Sequence, residues 1–218
     1  MPAPESMPGR LLRFLALRPG YPWKKALLIL APLLLLMLTA GLALSFWGDT
    51  VRLWHENIRQ SYPKLTAVLQ FCSDVLPSTV FALYIPLLLR AMAKHKTEEK
   101  HFVLRFTLGA LFFAMLLNQG LKALFGMPRP GFPMPPQPFL FEHSYTSFPS
   151  GHTISIVTST LPIALWTRFR QSPALAALLI ALVGYSRIWL GRHHPVDVLA
   201  GMLVGLAASR WIFTPRNE

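Results

Sequence analysis

The chain has 218 residues with 53% hydrophobic and only 14% charged residues, a balance too apolar for a soluble domain of this size. Cys72 is the only cysteine, which excludes an intrachain disulfide and a cysteine-built zinc site. The net charge of +12 could serve a nucleic acid, but the basic residues lie between apolar stretches and not on one continuous face. Anionic lipid headgroups explain them better, and no nucleic-acid partner is expected.

A membrane-crossing helix needs about 20 mostly apolar residues. The first candidate is ALLILAPLLLLMLTAGLALSFW, 26–47. Arg18, Lys24 and Lys25 precede it, as in a signal peptide, but the run is long and lacks a small-x-small cleavage site, so it reads as an uncleaved anchor. Further candidates follow at about 75–93, 106–121, 153–167, 174–190 and 196–213. Pro77, Pro86 and Pro162 fall inside them, which is tolerated where neighbours satisfy the freed carbonyls. The expected fold is therefore all-α: one polytopic membrane domain over 1–218, with a basic segment at 1–25, a six-helix core at 26–213 and an outer-face loop at 122–152.

With six spans, 14 Lys and Arg residues fall on the side of the N-terminal segment, the 90–105 connection, the 168–173 turn and the tail, against 7 on the other side. The positive-inside rule puts both termini in the cytoplasm and the segments around 122–152 and 187–194 outside. Compactness favours a bacterial inner membrane.

Three polar clusters meet on that outer face, at the ends of helices three to six. KALFGMPRP carries Lys122 and Arg129; PSGH carries Ser150, Gly151 and His152; SRIWLGRHHPVD carries Ser186, Arg187, His193 and Asp197. Ionisable residues at membrane depth usually mark function. Arginine forks and a lysine point charge suit phosphate oxygens. The free N–H groups and dipole of the helix beginning at Ser150-Gly151 favour an anion, and glycine lets the backbone approach closely.

Pro195 suits the first position of a helix, and the spacing from His193 to Asp197 returns the carboxylate toward the imidazole. A hydrogen bond between them would fix the tautomer and free the other ring nitrogen to attack phosphorus. His152, from another helix, would protonate the leaving oxygen.

The three clusters resemble the type 2 phosphatidic acid phosphatase superfamily, which includes integral-membrane lipid phosphatases and, on a soluble version of the fold, vanadium-dependent haloperoxidases. Its pattern of Lys, six residues and Arg-Pro is met by Lys122 and Arg129-Pro130; Pro-Ser-Gly-His by 149–152; and Ser-Arg, five residues, His, three residues, Asp by Ser186, Arg187, His193 and Asp197. The resemblance implies hydrolysis without metal or cofactor through a phosphohistidine at His193. Asp197 would orient it, His152 would be the acid, and Lys122, Arg129, Ser150, Gly151 and Arg187 would hold the phosphate. The substrate would be a lipid phosphate or diphosphate, of the undecaprenyl diphosphate, phosphatidylglycerol phosphate, phosphatidic acid or lipid A type.

Plainer readings stand beside these. Taken singly, Lys122 and Arg187 could be interface anchors, Ser150-Gly151 a turn and cap, and Asp197 a first-turn acid. His194 competes with His193 as nucleophile, with His193 favoured by its spacing and His194 expected at the rim. A metal site from His143, His152, His193 and Asp197 is disfavoured by the nearby cations. His55, His95 and His101 show no partner pattern, and neither Asp74 nor Arg105 is assigned a role. The tryptophans suit an aromatic belt. Phe132, Met134, Phe139 and Phe141 make the proline-rich loop too apolar for water, so it reads either as a lipid-entrance flap or as a stiff connector. Transfer of phosphate to a second lipid and, from another class, anion transport are the alternative functions.

Overall fold

The computed structural model describes Gly9 and residues 14–215, and every regular element among them is helical. In chain order the helices are α1 (Trp23–Ala43), α2 (Thr50–Ser61), α3 (Pro63–Ala82), α4 (Tyr84–Ala93) and α5 (Thr97–Gly109). A π-helical stretch, Ala110–Leu117, joins α5 to α6 (Asn118–Phe125); α7 (Gly151–Trp166), α8 (Ser172–Trp189) and α9 (Pro195–Ile212) follow. Among the described residues five helical stretches are long and apolar enough to cross a membrane: Trp23–Ala43, Pro63–Ala93, Thr97–Phe125, Ser172–Trp189 and Pro195–Ile212. The protein is a multi-pass membrane protein.

The expected fourth span is α7, and it falls short of that standard. Its 16 residues extend about 24 Å at 1.5 Å per residue. Its packing explains why a shorter helix suffices: Ile154, Ile156, Val157 and Leu161 are fully enclosed, so α7 is the axis of the bundle and faces protein on all sides. The second and third spans are longer than the apolar runs alone indicate, because helix continues through polar residues from Pro63 and from Thr97. One helix was not expected at all. α2 is amphipathic and caps the C-terminal end of α8: His55 Nε2 lies 2.9 Å from Tyr185 Oη, and the Arg59 guanidinium donates to the Trp189 carbonyl. His55, unassigned from sequence, is thus fully buried and partnered.

Glycines set how closely the helices approach. On α9 the pair Gly201 and Gly205 faces α7; a Cβ on Gly201 would sit 2.7 Å from the Ser150 carbonyl oxygen, and one on Gly205 would sit 2.6 Å from Val157 Cβ. Small residues four apart let two backbones meet, as at other membrane helix crossings. That contact fixes the start of α7 against the start of α9. Gly184 does the same for α8 against Leu33 of α1.

At the opposite end a second apolar cluster stacks Tyr84 on Phe106 and Phe102 on Trp166, with centroids 3.4 and 4.7 Å apart. Arg105 lies there, buried, donating to the carbonyls of Phe14, Ala16 and Trp211. Trp166 and Trp189 are buried too, so the belt reading does not hold for them. Of the cations counted for the cytoplasmic side, Arg10, Arg13 and Arg216 lie outside the described residues.

Candidate active site

The start of α9 is the anchor of the site. Pro195 opens the helix and His194 caps it, which puts Asp197 at the third position, where its side chain turns back to the cap. Asp197 Oδ2 accepts from the His194 backbone N–H at 2.8 Å and from Ser147 Oγ at 2.5 Å. The Asp197 carbonyl oxygen accepts from the Ser150 N–H at 3.0 Å. One residue therefore ties together the loop before α7, the start of α7 and the start of α9.

These bonds correct two expectations. The Ser150 N–H is consumed by Asp197, so the donors left for an anion are the next ones of the first turn of α7, beginning at Gly151. His193 Nδ1 lies 3.4 Å from Asp197 Oδ2 without a hydrogen bond between them, and both His193 Nδ1 and Asp197 Oδ1 are buried without a partner among the described residues. His194 is not at the rim. It is buried, stacked on Trp47 with centroids 4.0 Å apart, and its Nε2 lies 3.3 Å from the Pro128 carbonyl. Its ring is thus engaged by Trp47 on one face and by the Pro128 carbonyl at its edge.

The end of α8 supplies the next layer. Gly191 takes a positive φ of 64° and turns the chain, and the N–H groups of Arg192 and His193 both donate to the Arg187 carbonyl, at 3.0 and 3.2 Å. This tight turn carries His193 to the mouth of the bundle. Arg187 is buried and donates to Ser73 Oγ on α3 at 2.7 Å. Arg129 is held in the loop by the His143 carbonyl at its Nε (2.8 Å) and the Arg192 carbonyl (3.1 Å).

The charges that act on His193 are Arg129, Arg187, Lys122 and His152, so all these motif residues lie within electrostatic reach of one imidazole. Burial, and then those cations, hold the His193 pKa well below the ordinary histidine value, so the ring is neutral. Arg129 is also lowered, mainly by burial, and Arg129 chiefly lowers His143. A cavity of ≈ 300 Å³ opens beside the cluster, lined by Asp74, Asn118, Lys122, Gly151, His152 and Ser155 among others.

Sequence reasoning missed Ser147, Ser73, Asp74, Asn118 and Arg192. Ser147 stands three residues before Ser150, with nothing local to mark it. Asp74 did carry a signal, a carboxylate inside an apolar run, which costs too much in lipid to be idle. Among the described residues no group of three or more His, Cys, Asp or Glu could hold a metal ion, so His143, His152, His193 and Asp197 do not assemble into the metal site weighed above.

The profile of the PAP2 superfamily matches residues 103–217, more than half of the chain and every motif residue. The chain belongs to the PAP2 superfamily. This PAP2 protein is 27% identical over 159 residues to the bacitracin transport permease protein BcrC of Bacillus licheniformis, covering 72% of this chain and 75% of that one. It is 31% identical over 110 residues to the putative undecaprenyl-diphosphatase YbjG of Escherichia coli, covering 50% of this chain and 54% of the relative. To phosphatidylglycerophosphatase B of Bacillus subtilis it is 35% identical over 101 residues, covering 42% of this chain and 47% of that one. The chain thus spans about half the length of two of these three relatives. No solved structure matches it significantly. With its family and its phosphatase-named relatives, the PAP2 protein is a phosphatase.

Proposed function

We propose that this PAP2 protein removes phosphate from a membrane-lipid phosphomonoester or diphosphate at the outer face of the membrane, through a phosphohistidine at His193. The observation that carries the reading is the gathering of Lys122, Arg129, Arg187 and His152 around the buried His193.

In this reading the phosphoryl oxygens lie among Lys122, Arg129, Arg187 and the first-turn N–H groups of α7 from Gly151 onward, with Ser150 shaping the turn. The ring nitrogen of His193 turned away from Asp197 attacks phosphorus. The N–P bond forms as the bond to the lipid oxygen breaks, and His152 gives that oxygen its proton. Asp197 steadies the imidazolium that results. Deprotonated His152 then takes a proton from water, the water oxygen attacks phosphorus, and phosphate leaves with His193 restored. The fixed cations stabilise charge spread over the equatorial oxygens and leave no electrostatic need for a metal ion.

A lipid substrate is supported by a second, apolar cavity of ≈ 360 Å³ between α3–α4 and α5 with its π-helical extension. It is lined by Phe81, Leu88, Phe106, Leu111 and Met115, and it shares Ser155 with the polar cavity. A phosphate headgroup beside His152 could therefore run its hydrocarbon chain along this furrow. The relatives' names point to undecaprenyl diphosphate or phosphatidylglycerol phosphate as the first lipids to test.

The test is phosphate release from a panel of these lipids by wild type and His193→Ala, with an acid-stable or acid-labile phosphoenzyme sought after quenching. A phosphohistidine is base-stable and acid-labile, so label should survive an alkaline quench in wild type and vanish in His193→Ala. Activity persisting in His193→Ala would end the proposal. Anion movement across sealed vesicles that tolerates this substitution would favour transport, and label passing to an added lipid alcohol would favour phosphotransfer.

A further inference from the structure

Resting on His152 as the acid, the inference concerns what holds that imidazole. Asp74 lies on α3 and lines the same cavity as His152. Its Oδ1 is 3.9 Å from His152 Nε2, 3.9 Å from the Arg187 guanidinium and 3.8 Å from that of Arg192. Gln70, one turn earlier, donates to Asp74 Oδ2 and accepts from Arg192 at 2.9 Å. The charges facing His152 are Arg187, Asp74, Arg192 and Lys122, so Asp74 is the one carboxylate among three cations.

A carboxylate in a cavity built for phosphate repels the substrate, and it needs a compensating use. A half-buried imidazole ringed by cations has the opposite difficulty: it has to carry a proton to the leaving oxygen, and burial first and then each cation work against that. We infer that Asp74 is a positioning residue for His152, giving the acid its own carboxylate partner just as Asp197 partners His193. Phosphoryl oxygens draw Arg187 and Arg192 toward themselves, which leaves the Asp74 carboxylate to the imidazole. The nitrogen facing Asp74 is then held, and the other ring nitrogen delivers the proton as the P–O bond breaks.

The experiment compares a poor leaving group with a good one. An alkyl phosphomonoester needs a proton on its departing oxygen, whereas 4-nitrophenyl phosphate departs without one. Asp74→Asn should lower kcat for the alkyl ester by roughly 10- to 100-fold and for the aryl ester by less than about 3-fold, with KM nearly unchanged. His152→Asn should show the same selectivity more strongly, and the double variant should be no worse than His152→Asn alone. Asp74→Glu, which keeps the charge, should fall between wild type and Asp74→Asn, and it serves as the measurement if Asp74→Asn does not fold. Equal losses on both substrates in the Asp74 variants, or a rise in KM alone, would overturn the inference and leave Asp74 a tether for the arginines. Equal losses in His152→Asn would instead overturn His152 as the acid.

Discussion

Ser147 Oγ lies 2.5 Å from Asp197 Oδ2, closer than His193 Nδ1 at 3.4 Å. The carboxylate that the motif assigns to a histidine is held first by a serine and by the His194 N–H, both buried. Asp197 is thus fixed before it orients anything.

Removing that serine should therefore act through the carboxylate. Ser147→Ala takes away a buried hydrogen bond to a charged group and should cost about 1.5–3 kcal/mol of stability. It should also lower kcat while leaving KM close to wild type, since Ser147 touches Asp197 and not the cation cluster. Thermal unfolding in detergent and steady-state kinetics check both. An unchanged kcat would show that Asp197 keeps its orientation without Ser147.

The meeting of α7 with α9 should be intolerant of a single methyl group. A Cβ at Gly201 has the Ser150 carbonyl oxygen at 2.7 Å and Thr153 Cβ at 3.0 Å, so the start of α7 must move. Gly201→Ala should destabilise by roughly 1–3 kcal/mol and reduce activity together. Gly120→Ala meets nothing within 4 Å and should be neutral in the same assays. Equal behaviour of the two variants would contradict the packing argument.

Stability should depend on pH through His193, which sits in the loop before α9. Burial first, and then Arg129, Arg187, Lys122 and His152, hold its pKa well below the ordinary value. The unfolded chain takes up a proton at this histidine as pH falls through about 6.5, and the folded chain does not. The contribution is present in full above that pH and is lost as pH falls further toward the folded-state pKa. The unfolding midpoint should drop between about pH 7.5 and 5.5, and His193→Gln should flatten that drop. An identical slope in the variant would assign the pH dependence to other groups.

The proline-rich loop leaves Phe132, Met134, Phe139 and Phe141 exposed, as a surface meeting lipid would. Replacing all four with serine should raise the apparent KM for a long-chain lipid phosphate more than for a short soluble analogue. Equal effects on the two substrates would make the loop a connector only.

Much of this molecule was legible in its sequence. Apolar runs long enough for lipid, interrupted by prolines and flanked by cations, determine a helical membrane protein, because a backbone in hydrocarbon has to satisfy its own hydrogen bonds. The spacings around Lys122, Arg129, Ser150, His152, Arg187, His193 and Asp197 marked the candidate site, since each motif is local and falls at a helix end. What only the tertiary structure decided are relations between segments far apart in the chain. Asp74 faces His152 across 78 positions of sequence, Ser147 reaches Asp197, Tyr185 meets His55, and Asp197 consumes the Ser150 N–H. Hydrophobic period and motif spacing describe one helix at a time. Which polar group finds which partner depends on how closely α7 approaches α9 over Gly201 and Gly205, and on where α3 passes, and that is settled by packing in three dimensions.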